Sequence, residues 1–130
     1  MYVTDTHALI YYVEQKLTRL GKTARHVFEN AGQNETVIYV PTAVLWEIGR
    51  RLAQGKLVFP VTFDHWCRGL ERAEGFSIAA LEWQDVSAAR SLPFNDPFDC
   101  LIAGTAVHLG IPLITKDSEI RDSGLVETIW

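Results

Sequence analysis

Cysteine is scarce. Cys67 and Cys100 are the only two in 130 residues. They lack CxxC spacing and have no neighbouring cysteine–histidine cluster, which argues against a structural zinc site. Both lie in apolar, helical-patterned stretches, where a reduced core cysteine is the ordinary case. Long hydrophobic runs are also missing, and none reaches the roughly 18 residues of a membrane span. The first residues, Met1-Tyr2-Val3-Thr4-Asp5, have neither a basic region nor a long apolar run. No export signal is therefore expected, and the cytoplasm is the expected location. Positive charge is not in excess: 16 acidic residues face 12 basic ones, for a formal charge of −4. That balance argues against coating nucleic acid through a large basic surface. It leaves room for an enzyme that approaches phosphates through metal ions. Repeats, low-complexity tracts and Pro/Gly/Ser-rich linkers are absent. A single domain over 1–130 is expected, long enough for a real hydrophobic core. No Ser/His/Asp or Cys/His arrangement suggests a side-chain nucleophile.

What is present is an alternation of short β-rich runs with helical patterns. "YVTD" (2–5), "VIYV" (37–40), "FSIAAL" (76–81) and "PLIT" (112–115) read as strands, and "ETIW" closes the chain. Helices are predicted at about 7–15, 22–33, 42–54, 62–73, 84–91 and 97–109. Thr42 is the expected N-cap of the third, with Leu45, Ile48 and Leu52 at helical spacing and Gly55 as its stop. Gly110 ends the sixth. This order predicts an α/β fold: a three-layer α/β/α sandwich with a central parallel sheet. The continuous apolar character of "VIYV" and "PLIT" fits strands covered on both faces. In such sheets the ligand site lies beyond the carboxyl ends of the strands.

Acidic residues fall at that rim. Asp5 ends the first strand, and Asp117 follows "PLIT" by two residues. Glu47 lies in the second turn of the helix after "VIYV". Asp99 lies in the first turn of the helix opened by Asp96-Pro97. Each has a simpler reading: Asp5, Asp96 and Asp117 suit helix N-caps, Asp99 the third position of a capping box, and Glu47 a solvated helix face. Asp96 is taken as a cap. For the other four, convergence on one cleft is the sharper expectation, and it carries a cost. Two unit charges ~4 Å apart repel by about 4 kcal/mol at an effective dielectric near 20. Such a cleft needs protons or a cation. All-oxygen donors suit Mg²⁺ or Mn²⁺. Without these four acids the rest of the chain is charge-balanced.

The stretches "VTDTHALIYY", "PTAVLWEIGRRLAQGKL" and "DPFDCLIAGTAVHLGIPLITKD" together resemble the PIN-domain nucleases, most closely the VapC-type toxins of toxin–antitoxin pairs. The resemblance covers nearly the whole chain and keeps the motif order. It implies that Asp5, Glu47, Asp99 and Asp117 are the catalytic, metal-binding acids, with Thr6, Thr115 and Asp96 in support. It also implies an endoribonuclease that leaves 3′-hydroxyl and 5′-phosphate ends. The partners implied are an RNA substrate, a small antitoxin with a basic, amphipathic segment, and a second copy in a homodimer. Relatives of one branch carry histidine just ahead of the DPFD element and a basic residue just after it. Here Phe94-Asn95 and Cys100 stand there instead.

Arg50, Arg51, Lys56 and Lys116 flank the acidic segments and are candidates to position the RNA backbone, against the plainer reading of a solvated helix face. His7 is expected as a helix-start or core residue rather than a ligand. Trp46, Trp66, Trp83, Tyr11, Tyr12 and Phe28 are expected in core or interface. Two other function classes fit an acidic α/β chain. A phosphoacceptor receiver domain needs an adjacent acidic pair after its first strand, where Asp5 stands alone. A catalytically silent PIN-like binding module has no need of the full acid set.

Overall fold

The computed structural model describes residues 1–130. Its strands are β1 (Tyr2–Thr4), β2 (Ile38–Pro41), β3 (Phe76–Ala79), β4 (Leu113–Ile114) and β5 (Thr128–Ile129). They form one all-parallel sheet in the order β3-β2-β1-β4-β5. Val3, Ile38, Val40, Leu113 and Ile114 are fully buried. Their apolar runs are continuous because helices cover the sheet on both faces.

The helices are α1 (Thr6–Val13), α2 (Lys22–Gly32), α3 (Thr42–Ala53), α4 (Phe63–Arg72), α5 (Trp83–Ala89), α6 (Pro97–Leu109) and α7 (Ser118–Ser123). A 3-10 turn at Leu17–Arg19, absent from the sequence reading, links α1 to α2. No helix is long and apolar enough to cross a membrane.

The strand order determines where a site can open. From β1 the chain steps outward to β2 and β3. It then crosses back to β4 on the other side of β1. Right-handed crossovers running in opposite directions lay their helices on opposite faces. A crevice therefore opens between β1 and β4, at their carboxyl ends. The register there pairs Val3 with Leu113 and Thr4 with Ile114.

Thr42 differs from its expected role. Pro41 is the N-cap of α3, and Thr42 is the first helical residue. The Thr42 hydroxyl instead accepts the Leu81 amide at 3.1 Å. Proline's fixed φ suits the last strand residue as well as a helix entry, so β2 runs into α3 with no loop. Gly55 takes a left-handed φ of 70° just past α3, and Gly110 one of 65° after α6. Both positions favour glycine, which has no Cβ to strain. The aromatic expectations divide. Phe28 and Tyr11 are buried, and Trp66 packs on Phe59 and Phe63. Trp46 and Trp83 are 54% and 75% exposed and leave the core. The cysteines are free and half-buried, each on a helix.

Candidate functional site

Asp5 directly follows β1 and is buried. Its Oδ1 accepts the Ala8 amide at 2.8 Å and caps α1. Thr6, the next residue, donates its hydroxyl to Glu47 Oε1 at 2.7 Å. That bond ties α3 to the end of β1 and fixes the Glu47 carboxylate. Asp96 caps α6 by accepting the Phe98 amide at 2.8 Å, with Pro97 as the first helical residue. Asp117 caps α7 through the Ile120 amide at 3.1 Å, and its own amide donates to the Thr115 hydroxyl. Asp99 completes no capping box, and its half-buried carboxyl is left for the crevice. Capping and convergence are thus compatible. A carboxylate has two oxygens, and a cap uses one of them.

All five acids line one cavity of about 470 Å³, which contains no hydrophobic lining residue. Thr6, His7, Arg51, Lys116 and Ser118 complete its wall. Thr115 lies behind it, fully buried. Arg50 and Lys56 do not line it. Arg51 follows Glu47 by one helical turn, whereas Arg50 lies one turn beyond exposed Trp46. Lys56 lies past the end of α3, after the Gly55 turn. The sequence reading left Ser118 out, although it directly follows Asp117 at the start of α7. His7 sits at a helix start as expected, but exposed on the cavity wall rather than in the core.

A model of the PIN domain family matches residues 2–124. The chain belongs to the PIN-domain family. This PIN domain is similar in fold to VapBC2 from Rickettsia felis, solved bound to a DNA fragment from its promoter. The TM-score is 0.71 at 14% identity, over 99% of this chain and 98% of that one. It is also similar to FitAcB from Neisseria gonorrhoeae, with a TM-score of 0.64 at 17% identity over 100% and 97% of the two chains. Comparison with curated proteins finds no match.

The electrostatics of this PIN domain follow from crowding acids at a half-closed crevice. Burial pushes the Asp5 carboxyl up to about 6, and the Asp117 and Glu47 charges add to the rise. The Thr115 hydroxyl and the Ala8 amide oppose it. Asp99 is pushed up to about 7, first by burial and then by Asp96, Asp117, Glu47 and Asp5. Burial also raises Glu47, while its bond from Thr6 holds it down. His7 is lowered by burial, then by Arg51 and Lys116. The donor set fits a hard divalent cation: it is all oxygen, and burial together with neighbouring carboxylates pushes Asp5 and Asp99 upward, a strain that a bound cation would relieve. The acids do not form a closed cage, since no three acid, histidine or cysteine side chains stand at metal-ligand spacing.

Proposed function

We propose that this PIN domain is a metal-dependent endoribonuclease, the toxin of a toxin–antitoxin pair. The observation that carries the reading is the acidic cavity at the β1–β4 crevice, where five carboxylates converge and burial, then neighbouring charges, push Asp5 up to about 6 and Asp99 up to about 7. Asp5, Glu47, Asp99 and Asp117 would hold Mg²⁺ or Mn²⁺. When bound, such an ion polarises a phosphoryl oxygen and lowers the pKa of water at the site. The chain's own contribution is preorganisation. Thr6 orients Glu47, the Ala8 amide and the Thr115 hydroxyl hold Asp5, and the α6 and α7 starts fix Asp99 and Asp117. Arg51 and Lys116, on the cavity wall, position the RNA backbone.

Two further features support the partners. An apolar groove of about 430 Å³ runs between α1 and α4, lined by Leu9, Tyr12, Val13, Trp66, Leu70 and Phe76 among others. It suits the apolar face of an antitoxin's amphipathic segment. A basic side chain extending from that segment into the acidic cavity would block substrate and ion alike. Exposed Trp46 and Trp83 suit a homodimer contact.

The open spacing of the acids favours a second reading, a catalytically silent binding module. An RNA cleavage assay with Mn²⁺ and with chelator separates the two. The nuclease reading expects cleavage that needs Mn²⁺ and stops with chelator. A folded chain that leaves RNA intact with Mn²⁺ is the silent module.

A further inference from the structure

Lys116 stands in the wall of a cavity lined by five carboxylates, yet it makes an ion pair with none of them. Its Nζ donates instead to the Tyr11 hydroxyl at 2.5 Å and lies 4.9 Å from the Tyr11 ring centroid. Arg19, at the end of the 3-10 turn, brings its guanidinium carbon to 5.8 Å from the same centroid. Both distances are within reach of cation–π attraction. Tyr11 is buried on α1, so its ring is a fixed post, while the two cations are exposed. Arg19 is also free of any ion pair.

Neighbouring cations are treated differently. Lys16 is neutralised by Glu14, and Arg25 by Glu29 at 2.8 Å. A cation steadied by a hydroxyl and an aromatic ring keeps its full charge for an incoming anion. One steadied by a carboxylate does not. Lys116, in the link between β4 and α7, and Arg19, in the 3-10 turn, come from distant parts of the chain to one ring. Two unpaired cations beside one ring offer an extended polyanion more than one contact.

We infer that Lys116 and Arg19, gathered on the Tyr11 ring, form a phosphate-binding ledge that seats the backbone of single-stranded RNA beside the acidic cavity. The inference rests on the nuclease reading and names the side, α1 and the 3-10 turn, over which the strand runs. A single strand can bend one phosphate into the cavity while its neighbours lie on the ledge.

The test is binding of a short labelled single-stranded RNA by the intact chain across a salt series, with Ca²⁺ replacing Mg²⁺ to preserve the strand. Each lost phosphate contact lowers the slope of log K against log salt by about 0.7. Arg19→Gln is expected to lower it by about that amount and to weaken binding several-fold. In the cleavage assay it is expected to raise KM and leave kcat unchanged. Tyr11→Phe keeps the ring and removes the hydroxyl that steadies Lys116, so it should weaken binding less. Arg25→Gln, which removes an already paired cation, should change nothing. An unchanged slope and affinity in folded Arg19→Gln overturns the ledge. If the unsubstituted chain cleaves RNA but its binding ignores Arg19, the ledge falls and the nuclease reading stands. If it binds RNA through Arg19 without cleaving it, the ledge stands and the nuclease reading falls.

Discussion

Asp99 concentrates the conflict in the cavity. Its carboxyl is pushed up to about 7 by burial and by four neighbouring acids, whereas an unfolded aspartate titrates near 3.9. The folded chain therefore holds a proton that the unfolded chain has released, and protonation favours folding. This stabilising contribution is complete below about pH 4 and is lost as pH rises through about 7. Without metal, Asp99→Asn is expected to raise the melting temperature at pH 8, because asparagine cannot ionise. The gain is on the order of 1 kcal/mol, discounted for the water that reaches a half-buried group. It should vanish near pH 4, where both chains are neutral at this position. Thermal melts at the two pH values check this. The same variant should abolish RNA cleavage. Asp96→Asn should reduce it much less, since asparagine still caps α6. The convergence of these acids was legible because strand ends and helix starts mark the rim. The failure of Arg50 and Lys56 to join them was not. A register of one residue on a helix, or a turn past its end, decides which way a side chain faces.

At the level of elements, the closest packing joins α5 and α6. Gly104 lies mid-helix in α6, and a Cβ there would stand 2.6 Å from the Asp85 carbonyl oxygen and 2.7 Å from the Ala89 Cβ. The first of these is backbone and cannot rotate away. Gly104→Ala should therefore force the helices apart and cost about 2 kcal/mol. A drop in the denaturation midpoint with an unchanged m-value would register it. A second tie spans the same pair, where His108 Nδ1 meets the buried Asp85 carboxylate at 2.7 Å. Asp85 also receives the Glu82 amide in the capping box that opens α5. The sequence showed both helices but not their intimacy. A glycine inside an apolar helix marks a close approach without naming what approaches. Thr42 illustrates the same limit. A threonine before a helical pattern resembles a cap, and only the position of Leu81 shows that its hydroxyl serves another loop.

For the whole molecule, the acidic cavity couples ion binding to stability. An ion that binds only the folded state at 100 times its dissociation constant adds about 2.7 kcal/mol. Mg²⁺ or Mn²⁺ should therefore raise the melting temperature above that in chelator. The gain should shrink between pH 8 and pH 5.5, as protons reoccupy Asp99 and then Asp5. Equal melting curves with Mn²⁺ and with chelator at pH 8 would count against the site. The general architecture was legible in advance because its signals are repeated. Apolar runs alternate with amphipathic ones, and acids recur where strands end. The exposure of Trp46 and Trp83 was not, because a tryptophan's hydrophobicity does not say whether its own chain has room for it.

The adjacency of β1 and β4 has a consequence for biosynthesis. Residues that pair side by side, Val3 with Leu113, are separated by most of the chain. During translation Asp5 emerges long before Asp99 and Asp117, which follow it by 94 and 112 residues. The cavity cannot assemble until Asp117 has left the ribosome, and contacts of such long sequence separation also form slowly. A nascent chain that stops short of Asp117 therefore lacks the cavity by topology.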